Sequence, residues 1–253
     1  RCCLIERADP RDTAAHDRSA SVTLFRSLLF VPASQARRID SAARSGADGV
    51  ILDLEDGVAP GDKTAARALA RGSIARLHST GKAPMVRVNG IETGVTRDDV
   101  LAVVCDGLAS VVLPKVQAPQ DLRDLDVLLR EAEMAAGVRP GDIAVIPLIE
   151  SAGAVLRAEK IAAGSDRIAA LSFGAEDYTF DLGIRRANNA AGLQHARATL
   201  VHVAAALGVP AIDAPYADYR DAKGLQAETA IARDLGMKGK YAIHPDQVAA
   251  IND

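Results

Sequence analysis

Tryptophan is absent from the 253 residues, and four tyrosines and four phenylalanines are the only aromatic side chains. Without platforms on which bases stack, and with a formal charge of -3 in place of a basic balance, the chain is not built to bind nucleic acid. Long apolar runs are missing too: no stretch approaches the ~18 residues that a membrane helix needs. The N-terminus lacks the basic-then-apolar order of a signal peptide, so a cytoplasmic location is expected. Cysteine is scarce. Cys2 and Cys3 are adjacent and Cys105 is distant, a spacing that fits neither a metal site nor a disulfide framework, so all three are read as reduced and incidental. The first strand-like segment, in LFVPASQAR, is not followed by a glycine-rich phosphate loop. These absences leave a small metabolite as the partner.

What is present is a repeat. Residues 1–22 carry charges without periodicity and are expected to form a disordered leader. Residues 23–253 alternate short apolar runs with longer Ala-, Arg- and Asp-rich stretches of helical spacing. The runs are LLFVP at 28, GVILDLED at 49, PMVRVN at 84, ASVVLPK at 109, IAVIPLIE at 143, RIAALSFG at 167, PAIDAPY at 210 and GKYAIHP at 239. Helices are expected in DKTAARALARGSIARL, with an Asp to cap its start, and in QDLRDLDVLLREAEMAAG, which ends on Gly137. Eight strand–helix units, with strands too apolar to have a wet face, predict an α/β fold, a single-domain TIM (β/α)8 barrel. An open doubly wound sheet is the alternative.

In such barrels chemistry gathers at the C-terminal strand ends. Those ends supply Glu55 and Asp56, Arg87 and Asn89, Lys115, Glu150, Glu176 and Asp177, Asp213 and Tyr216, and His244. Each has a bland reading beside the functional one. Asp213 and His244 can be structural, Glu55 and Asp56 can cap or support, and Lys115 can reach out of the barrel mouth to solvent. Convergence favours chemistry, because acids from several strands around one Arg repel one another unless a cation holds them. Two carboxylates with no His or Cys nearby make a hard oxygen site that suits magnesium better than zinc. An Arg facing that ion completes a grip for a small 2-oxo acid, taking its carboxylate through paired hydrogen bonds.

In this order, RSLLFVPAS, VILDLEDGVAPGDKTAAR, MVRVNG, VLPKV, LIESAGAV, SFGAEDYTFDLG, AIDAPYADYRDAKG and GKYAIHPDQV resemble the citrate lyase beta-subunit-like family of the HpcH/HpaI aldolase superfamily, from Arg26 to about Gln247. The resemblance implies a TIM barrel, Mg2+, and cleavage or formation of a carbon–carbon bond between a 2-oxo acid and the acetyl group of a thioester. It places the metal on Glu150 and Asp177 and the substrate carboxylate on Arg87, and it associates Arg26 with the thioester carrier, as a contact to CoA. It further implies a homo-oligomer, a trimer or hexamer, and a helical lid beyond the IHP motif that can supply an acidic group; with the sequence ending at Asp253, that lid is expected to be absent from this chain.

On this reading the chain cleaves a citramalyl-, malyl- or citryl-CoA type of thioester into acetyl-CoA and a 2-oxo acid. Gly174 and Ala175 leave room for a substrate oxygen to approach the backbone, and Glu55 and Asp56 orient water around the ion. Two rivals stay open. A citrate lyase beta subunit would act on a carrier-protein thioester. A class II pyruvate aldolase would need no CoA, but such enzymes usually carry a His base near the first strand, and VPASQARRID offers none.

Overall fold

A computed structural model describes residues 25–185 and 190–253, so the expected leader, Cys2 and Cys3 lie outside the described residues. Each of the eight apolar runs is a strand: β1 (Ser27–Pro32), β2 (Gly49–Asp53), β3 (Ala83–Arg87), β4 (Ser110–Leu113), β5 (Ala144–Ile149), β6 (Leu171–Phe173), β7 (Ala211–Asp213) and β8 (Gly239–Ala242). They pair in parallel in that order and close into a barrel through β1 and β8. Closure rules out the open sheet.

Side chains alternate faces along a strand, and here the alternation sorts every residue into one of two layers. Leu28, Ile51, Met85, Val112, Ile146, Leu148, Ile212 and Tyr241 fill the barrel interior. Their neighbours Leu29, Val50, Leu52, Val86, Val111, Val145 and Ile149 face the helices instead. Each fully buried Leu or Ile contributes roughly 1.5–3 kcal/mol. The same parity carries past the apolar residues. Asp53 follows Ile51 by two and Arg87 follows Met85 by two, so both point inward; Glu150 does the same after Leu148.

The helical stretches form the outer layer. These include α1 (Ala36–Ala43), α2 (Lys63–Ser79), α3 (Thr96–Val103), α4 (Pro119–Ala136), α5 (Ala152–Leu156), α6 (Ala158–Ala162), α7 (Ala175–Asp181), α8 (Gln194–Leu207), α9 (Ala222–Leu235) and α10 (Gln247–Asn252). Helix α4 stops at Gly137, whose φ of 70° is the left-handed conformation that a side chain disfavours. Asp62 precedes α2 as expected, yet its side chain makes no capping bond. Lys63, the first residue of the helix, turns back to bond Leu54 O, Glu55 O and Asn89 Oδ1 at 2.7, 3.0 and 2.7 Å, tying α2 to the ends of β2 and β3. Among the described residues no helix is long and apolar enough to cross a membrane.

Candidate active site

At the C-terminal ends of the strands a cavity of about 450 Å³ opens, lined by Arg87, Glu150, Asp177, Asp53, Asp56 and Arg38 on its polar side. Phe30, Leu148, Phe173 and Tyr241 form the apolar side. Part of the expected strand-end set comes together here. Glu150 follows β5, Asp177 lies in the first turn of α7, and Glu55 and Asp56 follow β2.

Arg87 is the centre of this rim. Its Nε and Nη2 donate to the two oxygens of Asp53, both at 2.7 Å, and its Nη1 stands 3.0 Å from Glu55 Oε2. The guanidinium carbon lies 4.9 Å over the Phe30 ring. Burial works against the Arg87 charge, but the bonds to Asp53 and the charge of Glu55 more than offset it and raise its pKa further. The fork expected to take a substrate carboxylate is therefore committed to Asp53, and only the remaining N–H groups can reach a ligand. Asp53 was not among the expected residues. It also accepts from the Glu55 and Gly57 amides at 2.9 and 2.8 Å, so one carboxylate fixes both the Arg and the turn that follows β2. Register is the signal that identifies it: Asp53 and Arg87 are partners across β2 and β3.

Glu150 sets a carboxylate immediately after the apolar strand β5. It is 5% exposed, and its Oε1 accepts the Lys115 amide at 2.5 Å. Burial, reinforced by the charges of Asp177 and Glu55, pushes its pKa up to about 8 against the pull of the Lys115 amide. A carboxyl held so far above its ordinary value by burial and by a neighbouring carboxylate marks a candidate functional site. The donors fit a hard divalent cation. Two carboxylates with space for water and ligand oxygens is what magnesium accepts, since it keeps several waters and needs few protein ligands. Among the described residues no three His, Cys, Asp or Glu side chains are grouped to hold an ion.

Gly174 spends its own N–H on Ile149 O at 3.0 Å. What it supplies is space: a Cβ on Gly174 would stand 2.4 Å from Glu150 Oε2. Ala175 lines the cavity beside it as the first residue of α7. Lys115 keeps its side chain 38% exposed at the barrel mouth while its Nζ turns back to donate to Glu55 Oε1 at 2.5 Å.

Four strand-end candidates take structural positions. Asn89 is buried and bonds Asp99 Oδ2 and Leu54 O at 2.5 and 3.1 Å. Tyr216 donates to Asp221, the cap of α9, at 2.7 Å. His244 stacks on Tyr219 with ring centroids 4.4 Å apart, and it is not part of the cavity wall. Asp213 faces outward and is enclosed by Arg197 and Lys240. Arg26 is a larger departure. It precedes β1, at the N-terminal end of the barrel, where it grips Asp48 through Nε and Nη2 at 3.1 and 2.8 Å. It lines a separate cavity there with Lys238 and Asn252, a barrel's length from Glu150.

Comparison with known proteins meets this geometry. The citrate lyase subunit beta of Leuconostoc mesenteroides subsp. cremoris is 33% identical over 229 residues, covering 90% of this chain and 76% of its own length. The L-malyl-CoA/beta-methylmalyl-CoA lyase of Rhodobacter capsulatus is 35% identical over 257 residues, covering 92% and 80%. Among solved structures, the protein CitE of Mycobacterium tuberculosis in complex with magnesium, acetoacetate and coenzyme A superimposes with a TM-score of 0.73 at 33% identity, covering 91% of this chain and 80% of that one. The family model for HpcH/HpaI aldolase/citrate lyase matches residues 26–245, from the first strand through the last, and with the relatives at this level of identity it shows that the chain belongs to the HpcH/HpaI aldolase/citrate lyase family of carbon–carbon lyases.

Proposed function

We propose that the chain is a magnesium-dependent lyase that cleaves a 3-hydroxyacyl-CoA thioester into acetyl-CoA and a 2-oxo acid. The observation that carries this reading is the pairing of Glu150 with Asp177 on the wall of a cavity that also holds Arg87. Glu150 and Asp177 would hold the ion, which when bound supplies a Lewis acid worth several kcal/mol to oxygens that gain negative charge. The kinship with a malyl-CoA lyase and with a CitE that binds magnesium, acetoacetate and coenzyme A supports the same chemistry here.

The chain's own residues do the rest. The bond that breaks joins the carbinol carbon to the carbon next to the thioester carbonyl. It yields only if the substrate is held so that this bond alone faces the group that accepts its electrons. Arg87 fixes the carboxylate of the 2-oxo acid portion through the N–H groups that Asp53 leaves, and Asp53 and Glu55 prevent the guanidinium from turning with its ligand. Phe30, Leu148, Phe173 and Tyr241 keep water from the opposite side. Arg38, exposed on α1 at the cavity, is the cation placed to meet the phosphates of the thioester carrier, the role that the position of Arg26 denies it.

The test is turnover of citramalyl-CoA, malyl-CoA and citryl-CoA with magnesium, following acetyl-CoA and the 2-oxo acid together by mass spectrometry beside an EDTA control. EDTA-sensitive release from one of the three is expected. Silence on all three, with turnover of a carrier-protein thioester, would assign the chain to a citrate lyase complex instead.

A further inference from the structure

Glu55, Asp56, Glu150 and Asp177 share one rim, yet among the described residues no three acids are grouped to cage an ion. Lys115 is placed to enforce this. It is the non-glycine residue with positive φ among those described, at 54°. An L-residue avoids that conformation because its Cβ crowds the following carbonyl, and it persists only where the surroundings require it. Here the twist after β4 has two consequences. It turns the Lys115 amide onto Glu150 Oε1 at 2.5 Å, and it sends the side chain along the rim to Glu55 Oε1 at 2.5 Å, with Asp56 at 3.7 Å.

Both acids are thereby restricted. Glu150 has one oxygen occupied, so Oε2, the oxygen for which Gly174 leaves space, is the one to face a ligand. Glu55 has Oε1 on Lys115 and Oε2 beside Arg87 Nη1 at 3.0 Å, so neither oxygen is offered to an ion. We propose that Lys115 is a positioning residue that holds a divalent cation to two carboxylates, Glu150 and Asp177, by presenting one oxygen of Glu150 and withholding Glu55. This rests on the reading of Glu150 and Asp177 as the ion's ligands. A third carboxylate would bind the ion more tightly while filling a position the 2-oxo acid needs, so Lys115 acts on metal and substrate with opposite sign.

That opposition is what an experiment can read. Magnesium is titrated by calorimetry into EDTA-stripped protein, and pyruvate into the magnesium-saturated protein, for the wild type, Lys115→Gly and Lys115→Arg. Glycine accepts the left-handed backbone, so Lys115→Gly keeps the amide to Glu150 and loses the ammonium with its stem. Magnesium is expected to bind about tenfold tighter to Lys115→Gly, because a nearby positive charge is gone and Glu55 is released. Pyruvate is expected to bind at least about tenfold more weakly. Lys115→Arg, which keeps the charge, returns both values toward wild type. A lysine that only braces the loop would shift both affinities the same way or neither, and either result overturns the proposal. If the wild type shows no magnesium binding that Glu150→Gln abolishes, the assignment of the ligand pair fails first and the role of Lys115 falls with it.

Discussion

Two ion pairs in this barrel are built alike and do opposite things. Asp53 and Arg87 are register partners across β2 and β3; Asp213 and Lys240 are register partners across β7 and β8. The first pair points inward and the second outward, by one step of strand parity. Outside, Asp213 and Lys240 meet Arg197 of α8 and Glu228 of α9, two acids against two bases, with side chains between 0 and 5% exposed. Inside, Asp53, Glu55, Asp56, Glu150, Glu176 and Asp177 share the rim with Arg87, Lys115 and Arg38, six acids against three bases, beside an open cavity. A balanced network closes a wall, and an unbalanced one waits for a ligand: burial, helped by the charges of Asp177 and Glu55, raises the Glu150 pKa, whereas Lys240 and Arg197 overcome burial and lower that of Asp213.

The largest effect should come from the inner pair. Arg87→Lys keeps a cation but cannot fill the Asp53 fork or hold a carboxylate beside it, and kcat/KM should fall by about 10²–10³. Steady-state kinetics on the best of the three CoA esters checks this, with circular dichroism to confirm the fold. A variant with near-normal turnover would remove Arg87 from the substrate grip.

The outer pair should answer in stability. Asp213→Ala leaves Arg197 and Lys240 buried without their carboxylate and should cost about 3–5 kcal/mol, read by urea unfolding, with kcat per folded molecule little changed. The pH dependence has the corresponding sign. Burial alone would raise the Asp213 pKa, but Lys240 and Arg197 overcome it and hold it below the usual carboxylate value. Its stabilisation is therefore present above the unfolded pKa of about 4 and is lost as pH falls through the folded value. Asp213→Ala should flatten the acid limb of the stability profile.

Magnesium separates the two regions in a third way. At 100 times its Kd the ion should stabilise the wild type by about 2.7 kcal/mol, and Asp177→Asn should lose most of that shift in a thermal melt. Asp213→Ala should keep it. The smallest effect is expected at Tyr216, whose hydroxyl serves the cap of α9: Tyr216→Phe should cost roughly 0.5–1.5 kcal/mol and leave turnover unchanged.

The barrel and much of the rim were legible in the sequence because both follow from periodicity. Eight apolar runs gave eight strands, and Arg87, Glu150 and Asp177 met at one end as expected. Two departures, at Asp53 and Asp213, share a cause: a strand end gives a place, and parity decides which face each residue takes. Counting by two from Ile51 sends Asp53 inward, and counting from Ile212 sends Asp213 outward, so parity alone would have added the one and set aside the other. Arg26 was misplaced because a motif carries no statement about which end of a strand it occupies, and this one precedes β1. The left-handed turn at Lys115 had no sequence signal at all, since a lysine there looks like any other.

The closure of β8 on β1 also bears on how the chain is made. The Lys240 amide donates to Arg26 O at 2.8 Å and seals β8 against β1, while its ammonium completes the outer network through Asp213 and Glu228. As the chain is synthesised, Asp213 and Glu228 emerge before Lys240 and until then have Arg197 alone between them. Sealing the ring and cancelling that excess charge are therefore a single event. A chain that ends short of residue 239 gains neither the seal nor the compensating charge.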